Sequence, residues 1–295
     1  MTKVVKKKLK LKKKNFTILL ILIFTCLFIV TNGINVINKI ITNKNTSSTK
    51  QTEKKKEINE KISHYNKNFK DRYIAYKKKN KNLSDEEIIT RVNIGLDNEY
   101  YTNTKPSTNL NKNTILVNKY NYLEENYIPN DLEDISLQYA RSGMKLVREA
   151  KEAYEAMAKN ASTSNLKLVA TSSYRSYEYQ EKLYNNYIKS DGIEAADTYS
   201  GRPGFSEHQT GLAVDIYNGK ETYTNFEKTK EFEWMQKNAY KYGFILRFPK
   251  DKENITGYIY ESWHYRYVGT KIATYIHENN ISYEEYYVKF IEPKK

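Results

Sequence analysis

The run Phe16–Val30, FTILLILIFTCLFIV, carries no charge, and only Asn15 separates it from fourteen residues that hold eight lysines and no acid. Extended to Ile37 across polar interruptions, it is long enough to cross a bilayer. The lysines account for +8 of a formal net charge of +14, and a basic flank beside an apolar span marks the cytoplasmic side. We therefore expect a basic flank over 1–14, a single-pass anchor over 15–37, and everything after it to fold on the far side of the cytoplasmic membrane. No small-residue cleavage pattern follows Val30, where the chain reads Thr31-Asn-Gly-Ile-Asn-Val36. An uncleaved anchor is favoured over a cleaved signal peptide. The only cysteine, Cys26, lies inside the apolar run behind Phe24-Thr25, so it reads as a membrane-buried thiol and not as a lipid attachment site. The exported part then has neither disulfide nor thiol. A metal there has to be held by His, Asp or Glu, and covalent catalysis has to use Ser, Thr or Lys.

Residues 38–83 are rich in Lys, Asn, Thr, Ser and Glu and read as a solvated stalk, with His64 a surface residue in it. Folded structure is expected from Ser84, where Ser84-Asp-Glu-Glu87 forms a capping box ahead of Ile88, Ile89 and Val92. Beyond it, Thr114–Val117 suggests a strand and Asp131–Ala158 a helix. Leu166–Ser172 alternates like a strand, Tyr177–Ile188 is helical, and Leu212–Tyr217 is a strand. Phe232–Tyr242 is a helix stopped by Gly243. Phe244–Phe248 and His264–Val268 are strands, Lys271–Glu278 is a last helix, and the tail is polar. Short strands mixed with segregated helices indicate an α+β domain on an antiparallel sheet. The 28 tyrosines fit either a sugar-binding surface or amphipathic filling of half-buried positions.

Two segments concentrate chemistry. In Gly201-Arg-Pro-Gly-Phe-Ser-Glu-His-Gln-Thr-Gly-Leu-Ala-Val-Asp215, glycines and a proline build a tight loop that carries His208. Asp215 follows within an apolar strand, where a carboxylate is costly unless a cation or arginine pairs with it. Strand alternation puts Asp215 on the face of Ala213 and Tyr217, and Ala213 is small enough to leave room for an ion. In Tyr260-Glu-Ser-Trp-His-Tyr-Arg-Tyr-Val268, His264 recurs in an aromatic setting with Glu261 three residues before it. Two imidazoles and a carboxylate form the three-ligand set of a catalytic zinc site with one open position, and Glu261 is placed as base for a water. Residues 261 and 264 of a regular strand face opposite sides, so a bulge or turn has to precede His264. Either histidine alone would read as an ordinary polar residue, and His277 still does.

Ser206-Glu-His208-Gln-Thr-Gly211-Leu-Ala213-Val-Asp215 resembles the S-x-H-x-x-G-x-A-x-D motif of VanY-type D-alanyl-D-alanine carboxypeptidases, in the wider group of lysostaphin-like and D-Ala-D-Ala metallopeptidases. Glu261-Ser-Trp-His264 resembles their E-x-W-H element, and Ser173-Tyr-Arg175-Ser-Tyr-Glu-Tyr-Gln180 their S-x-R-S-x-x-x-Q element. The resemblance spans roughly residues 110–270, with the motifs in family order. It implies a small antiparallel sheet flanked by helices (Hedgehog/DD-peptidase-like) over residues 84–289. It also implies zinc on His208, Asp215 and His264, Glu261 as base, Arg175 facing the substrate, and Ser206 and Gln180 as substrate or supporting groups. Arg175 stands between a strand and a helix, where sites commonly lie, and a guanidinium suits both a terminal carboxylate and an oxyanion. Trp263 is expected to pack on His264 and keep the site dry. The implied substrate is the peptidoglycan stem peptide, cut at its C-terminal D-alanine. The motifs leave open D,D- against L,D-cleavage, and an endopeptidase or a non-catalytic wall-binding module are further readings. No nucleic-acid motif is recognised outside the lysine run, and the oligomeric state is not legible.

Overall fold

A computed structural model describes residues 58–220 and 223–292. The basic flank, the anchor and the first part of the stalk lie outside the described residues. Within those residues no helix is long and apolar enough to cross a membrane.

Folded structure starts before the expected boundary at Ser84. A helix Lys70–Lys79 packs beside the helix Asp85–Ile94. Ile58, Tyr73, Ile88, Ile89 and Val92 form a small core between them. The capping box at Ser84 is present, with Glu87 reaching back to the Ser84 backbone. His64 is buried, and its Nε2 lies 2.8 Å from Thr90 Oγ1. The lysines had made this stretch look solvated. Its few apolar and aromatic residues are nonetheless enough to dock it.

Two short pairs follow. Strands β1 (Lys105–Pro106) and β2 (Asn121–Tyr122) run parallel, and β3 (Leu132–Asp134) and β4 (Lys145–Val147) form an antiparallel hairpin. The stretch expected to be one helix from Asp131 is therefore a hairpin, and the helix occupies Arg148–Ser162. Gly143, with φ +79°, reverses the chain where a helix would need a right-handed residue. Thr114–Val117 forms no strand, although Ile115 and Val117 are buried.

The central sheet has four strands in the order β5-β6-β8-β7: β5 (Val169–Ser172), β6 (Ala213–Tyr217), β7 (Phe244–Leu246) and β8 (His264–Tyr267). Every pairing within it is antiparallel, as the mixed pattern of short strands implied. Leu146, Ala150, Tyr154 and Met157 pack the helix Arg148–Ser162 against one face with Val214, Ile216 and Phe244. The helix Lys230–Asn238 continues into a tight turn that ends at Gly243, φ +83°, where an added Cβ would meet Tyr267 at 2.7 Å. The tail is not simply polar. The short helix Tyr283–Tyr286 and the turn Tyr287–Ile291 bury Tyr283, Glu284, Tyr287 and Val288.

Candidate active site

Strand register creates the site. Asp215 on β6 stands directly opposite His264 on β8, and Ser172 on β5 is paired to Asp215 from the other side. Cross-strand neighbours share a face at van der Waals distance. His208 arrives from the loop before β6, in the 3₁₀ turn Glu207–Thr210 that Gly211 closes at φ +67°. The expected turn ahead of His264 is present: His264 N–H is directed back to Glu261 O at 3.4 Å, so Glu261 and His264 face the same cavity.

The donor geometry is specific. His208 Nδ1 lies 2.7 Å from the Ser173 carbonyl. A carbonyl only accepts, so Nδ1 carries the proton and Nε2 keeps its lone pair. That lone pair faces Asp215 Oδ2 at 3.5 Å. His264 Nδ1 is 3.1 Å from Asp215 Oδ1 and 3.6 Å from Glu261 Oε2. One ligand atom from each of His208, Asp215 and His264 lies within 4.8 Å of the other two, and all three residues are buried. Asp215 Oδ1 has no hydrogen-bond partner among the described residues. A lone pair and a carboxylate converging in a buried place call for a cation. Two imidazoles and one carboxylate fit zinc, and the open side toward the cavity leaves a fourth position.

Electrostatics point the same way. Burial, assisted by the Arg175 charge, lowers His208 to about 4 and leaves it a neutral ligand. Burial also opposes charge on His264, but the carboxylates of Asp215, Glu207 and Glu261 overcome it and raise the group to about 9. A proton on His264 thus supplies part of the positive charge that a bound cation would bring. Asp215 is held well below the usual carboxylate range by the two histidines in spite of its burial. Glu261 goes the other way: burial, with help from Asp215, pushes it up to about 8.

The cluster lies in a cavity of about 540 Å³ walled by Arg175, Ser206, Tyr187, Tyr199, Phe248 and Trp263, among others. Arg175 is placed by its own backbone, whose N–H donates to the His208 carbonyl at 3.2 Å. Its Nη1 reaches Ser172 Oγ at 3.4 Å, and its buried Nε has no partner among the described residues. Ser206 is part of the wall. Gln180 is not. It is buried on the helix Tyr177–Asp191, and its amide donates to Gly201 O at 2.7 Å and Ser200 Oγ at 3.2 Å, so it braces the loop carrying Ser206 and His208. Ala213 is paired across the strands with the fully buried Arg266.

Residues 143–270 match the family described as VanY, D-alanyl-D-alanine carboxypeptidase. The putative carboxypeptidase YodJ of Bacillus subtilis (strain 168) is 37% identical over 259 residues, 83% of this chain and 86% of YodJ. This chain belongs to the VanY family. Among solved structures, the LdcB LD-carboxypeptidase is 40% identical at a TM-score of 0.60, covering 64% of this chain and 91% of its own. A vancomycin-resistance D,D-pentapeptidase VanY mutant in complex with Zn(II) is 32% identical at a TM-score of 0.50, covering 59% and 98%.

Reading this VanY-family sequence alone missed three supports. Phe248 lies 4.9 Å from the His264 ring, tilted by 41°. The Ser173 carbonyl orients His208. Glu207, inside the first motif, is a buried carboxylate held far below its ordinary range: burial works against it, but Arg247 and Arg266 prevail. A lone acid beside a histidine ligand signalled the last weakly. The other two needed tertiary contacts.

Proposed function

We propose that this VanY-family zinc carboxypeptidase works outside the cytoplasmic membrane, tethered by its N-terminal segment. It removes the C-terminal D-alanine of peptidoglycan stem peptides. His208 Nε2, Asp215 and His264 Nδ1 would hold zinc, which when bound supplies a Lewis acid for the scissile carbonyl and lowers the pKa of water. Glu261, buried 3.6 Å from His264 Nδ1, takes a proton from the attacking water as oxygen bonds to the carbonyl carbon. It then delivers that proton to the amine of D-alanine as the C–N bond breaks. The Arg175 guanidinium faces the negative charge of the reaction, at the oxyanion or the terminal carboxylate. Ser206 offers a hydroxyl at the same wall. The convergence of the three ligand atoms beside Glu261 carries this reading.

Defined pentapeptide and tetrapeptide stems incubated with the protein, with and without a chelator, test it by product mass. Loss of one alanine from the pentapeptide, stopped by chelation and restored by zinc, is the expected result, and an intact pentapeptide would refute the D,D reading. An L,D reading is favoured by one observation, the higher identity and TM-score to the LdcB LD-carboxypeptidase, and shortening of the tetrapeptide alone selects it. The lysine run and the apolar run after it support the tether. Full-length protein is expected in the membrane fraction, with its catalytic domain open to externally added protease. Recovery in the soluble fraction rules the tether out.

A further inference from the structure

Glu207 is a carboxylate with two different ends. Its Oε1 accepts from Arg247 Nε at 2.8 Å and from Arg266 Nη1 at 2.9 Å. Both arginines are fully buried and otherwise committed: Arg247 Nη1 donates to Glu284 Oε2 at 2.9 Å, and Arg266 Nη2 donates to the carbonyls of Ile115 at 2.7 Å and Asn113 at 3.0 Å. The other oxygen, Oε2, is buried with no hydrogen-bond partner among the described residues and stands 3.7 Å from His264 Nε2, which has none either. Two orphaned polar atoms that face each other in a buried site form a pair waiting to close, because leaving either unpaired is costly.

We propose that Glu207 is the positioning residue of the metal ligand His264. It holds the proton on Nε2 so that the Nδ1 lone pair is presented to the ion. This rests on the zinc reading above. A carboxylate whose first oxygen is tied down by two guanidiniums cannot rotate away and serves only as an acceptor. It therefore fixes both the tautomer and the plane of the ring, as a second partner behind a ligating histidine does. The same carboxylate hangs on guanidiniums anchored in the segment before β2 and in the C-terminal helix. Chain distant in sequence thereby reaches one ligand.

Long-range ¹H–¹⁵N spectra of the zinc-loaded wild-type protein read the tautomer directly, and zinc competition with a chromophoric chelator reads affinity. The expected spectrum has His264 protonated at Nε2 with a slowly exchanging proton. The expected affinity falls about 10–100-fold in Glu207→Gln, with KM little changed. Glu284→Gln removes a charge from the same arginine without touching His264, so it should lose stability yet keep zinc affinity within about twofold of wild type. An Nε2 without a proton overturns the proposal on wild-type protein alone, even if Glu207→Gln does not fold. Equal losses of affinity in the two variants also overturn it, by assigning the effect to the charge network as a whole. Wild-type protein that binds no zinc refutes the zinc reading itself, and with it the proposal. Unchanged affinity in Glu207→Gln beside a zinc-binding wild type refutes the positioning role alone.

Discussion

At the scale of single residues, the cavity sets three converging donors beside two groups that line the same space. His208, Asp215 and His264 point donors at one another, whereas Glu261 and Arg175 line the same space without completing that triangle. Glu261→Ala is therefore expected to retain stoichiometric zinc while losing nearly all turnover, checked by metal analysis beside an alanine-release assay. Retained turnover would take Glu261 out of the reaction. Arg175→Ala should lower kcat/KM by about 10²–10³, the usual cost of a donor aimed at developing charge, again with zinc in place. Arg175→Lys should recover only part of it, because an ammonium lacks the guanidinium fork. These residues were legible because each sits in a spaced motif whose chemistry is rare by chance. Phe248 and the Ser173 carbonyl were not, since an aromatic residue and a backbone oxygen carry no sequence mark of what they will face. Gln180 shows the converse: its place in a motif was legible, but its direction, toward Gly201 rather than the cavity, was not.

Among elements, the strands of the sheet followed from alternation and the helix stop from Gly243, but the register and the segments held by tertiary contacts did not. Gly211 links the two cases. Its φ of +67° closes the His208 turn, and a Cβ there would sit 2.9 Å from Leu132 and 3.0 Å from Val147 on the β3–β4 hairpin. Gly211→Ala is expected to cost about 1–3 kcal/mol and to weaken zinc binding, as thermal melts and zinc competition would register. The segment before β2 offers a pH signature. Lys119 is buried among Tyr100, Tyr101 and Tyr258, with its ammonium 4.3 Å from the Tyr258 ring and donating to the Asp197 carbonyl. Burial lowers it to about 8 from 10.5. Between those values the unfolded chain holds the proton and the folded chain does not, so folding stability should rise with pH there, by at most about 1.4 kcal/mol per unit from this group. Below about pH 8 both states are protonated and this slope vanishes. Lys119→Met should remove the rise in urea titrations run across that window. An unchanged rise would assign it to other groups.

For the whole molecule, the motifs outline a core of residues 110–270, but the packing extends further. Ile276, Tyr283, Tyr287 and Val288 from the C-terminal helices share one apolar cluster with Ile94, Leu116 and Val268. Lys289 pairs with Glu86, and Lys105 with Glu292, at 2.9 and 2.7 Å. These exposed pairs add little. The buried contacts decide: without Glu284, the fully buried Arg247 keeps only Glu207 as an anion partner, and removing one partner of a buried ion pair costs about 3–5 kcal/mol. That is comparable to a large part of a domain's total stability. A fragment of residues 110–270 contains every proposed ligand and the base, yet it is expected to aggregate or to melt below physiological temperature. A chain of residues 58–292 should fold cooperatively and bind one zinc. Expressing both and comparing their melts and metal content checks this. A soluble, zinc-binding 110–270 fragment would mean that the flanking helices are dispensable for folding.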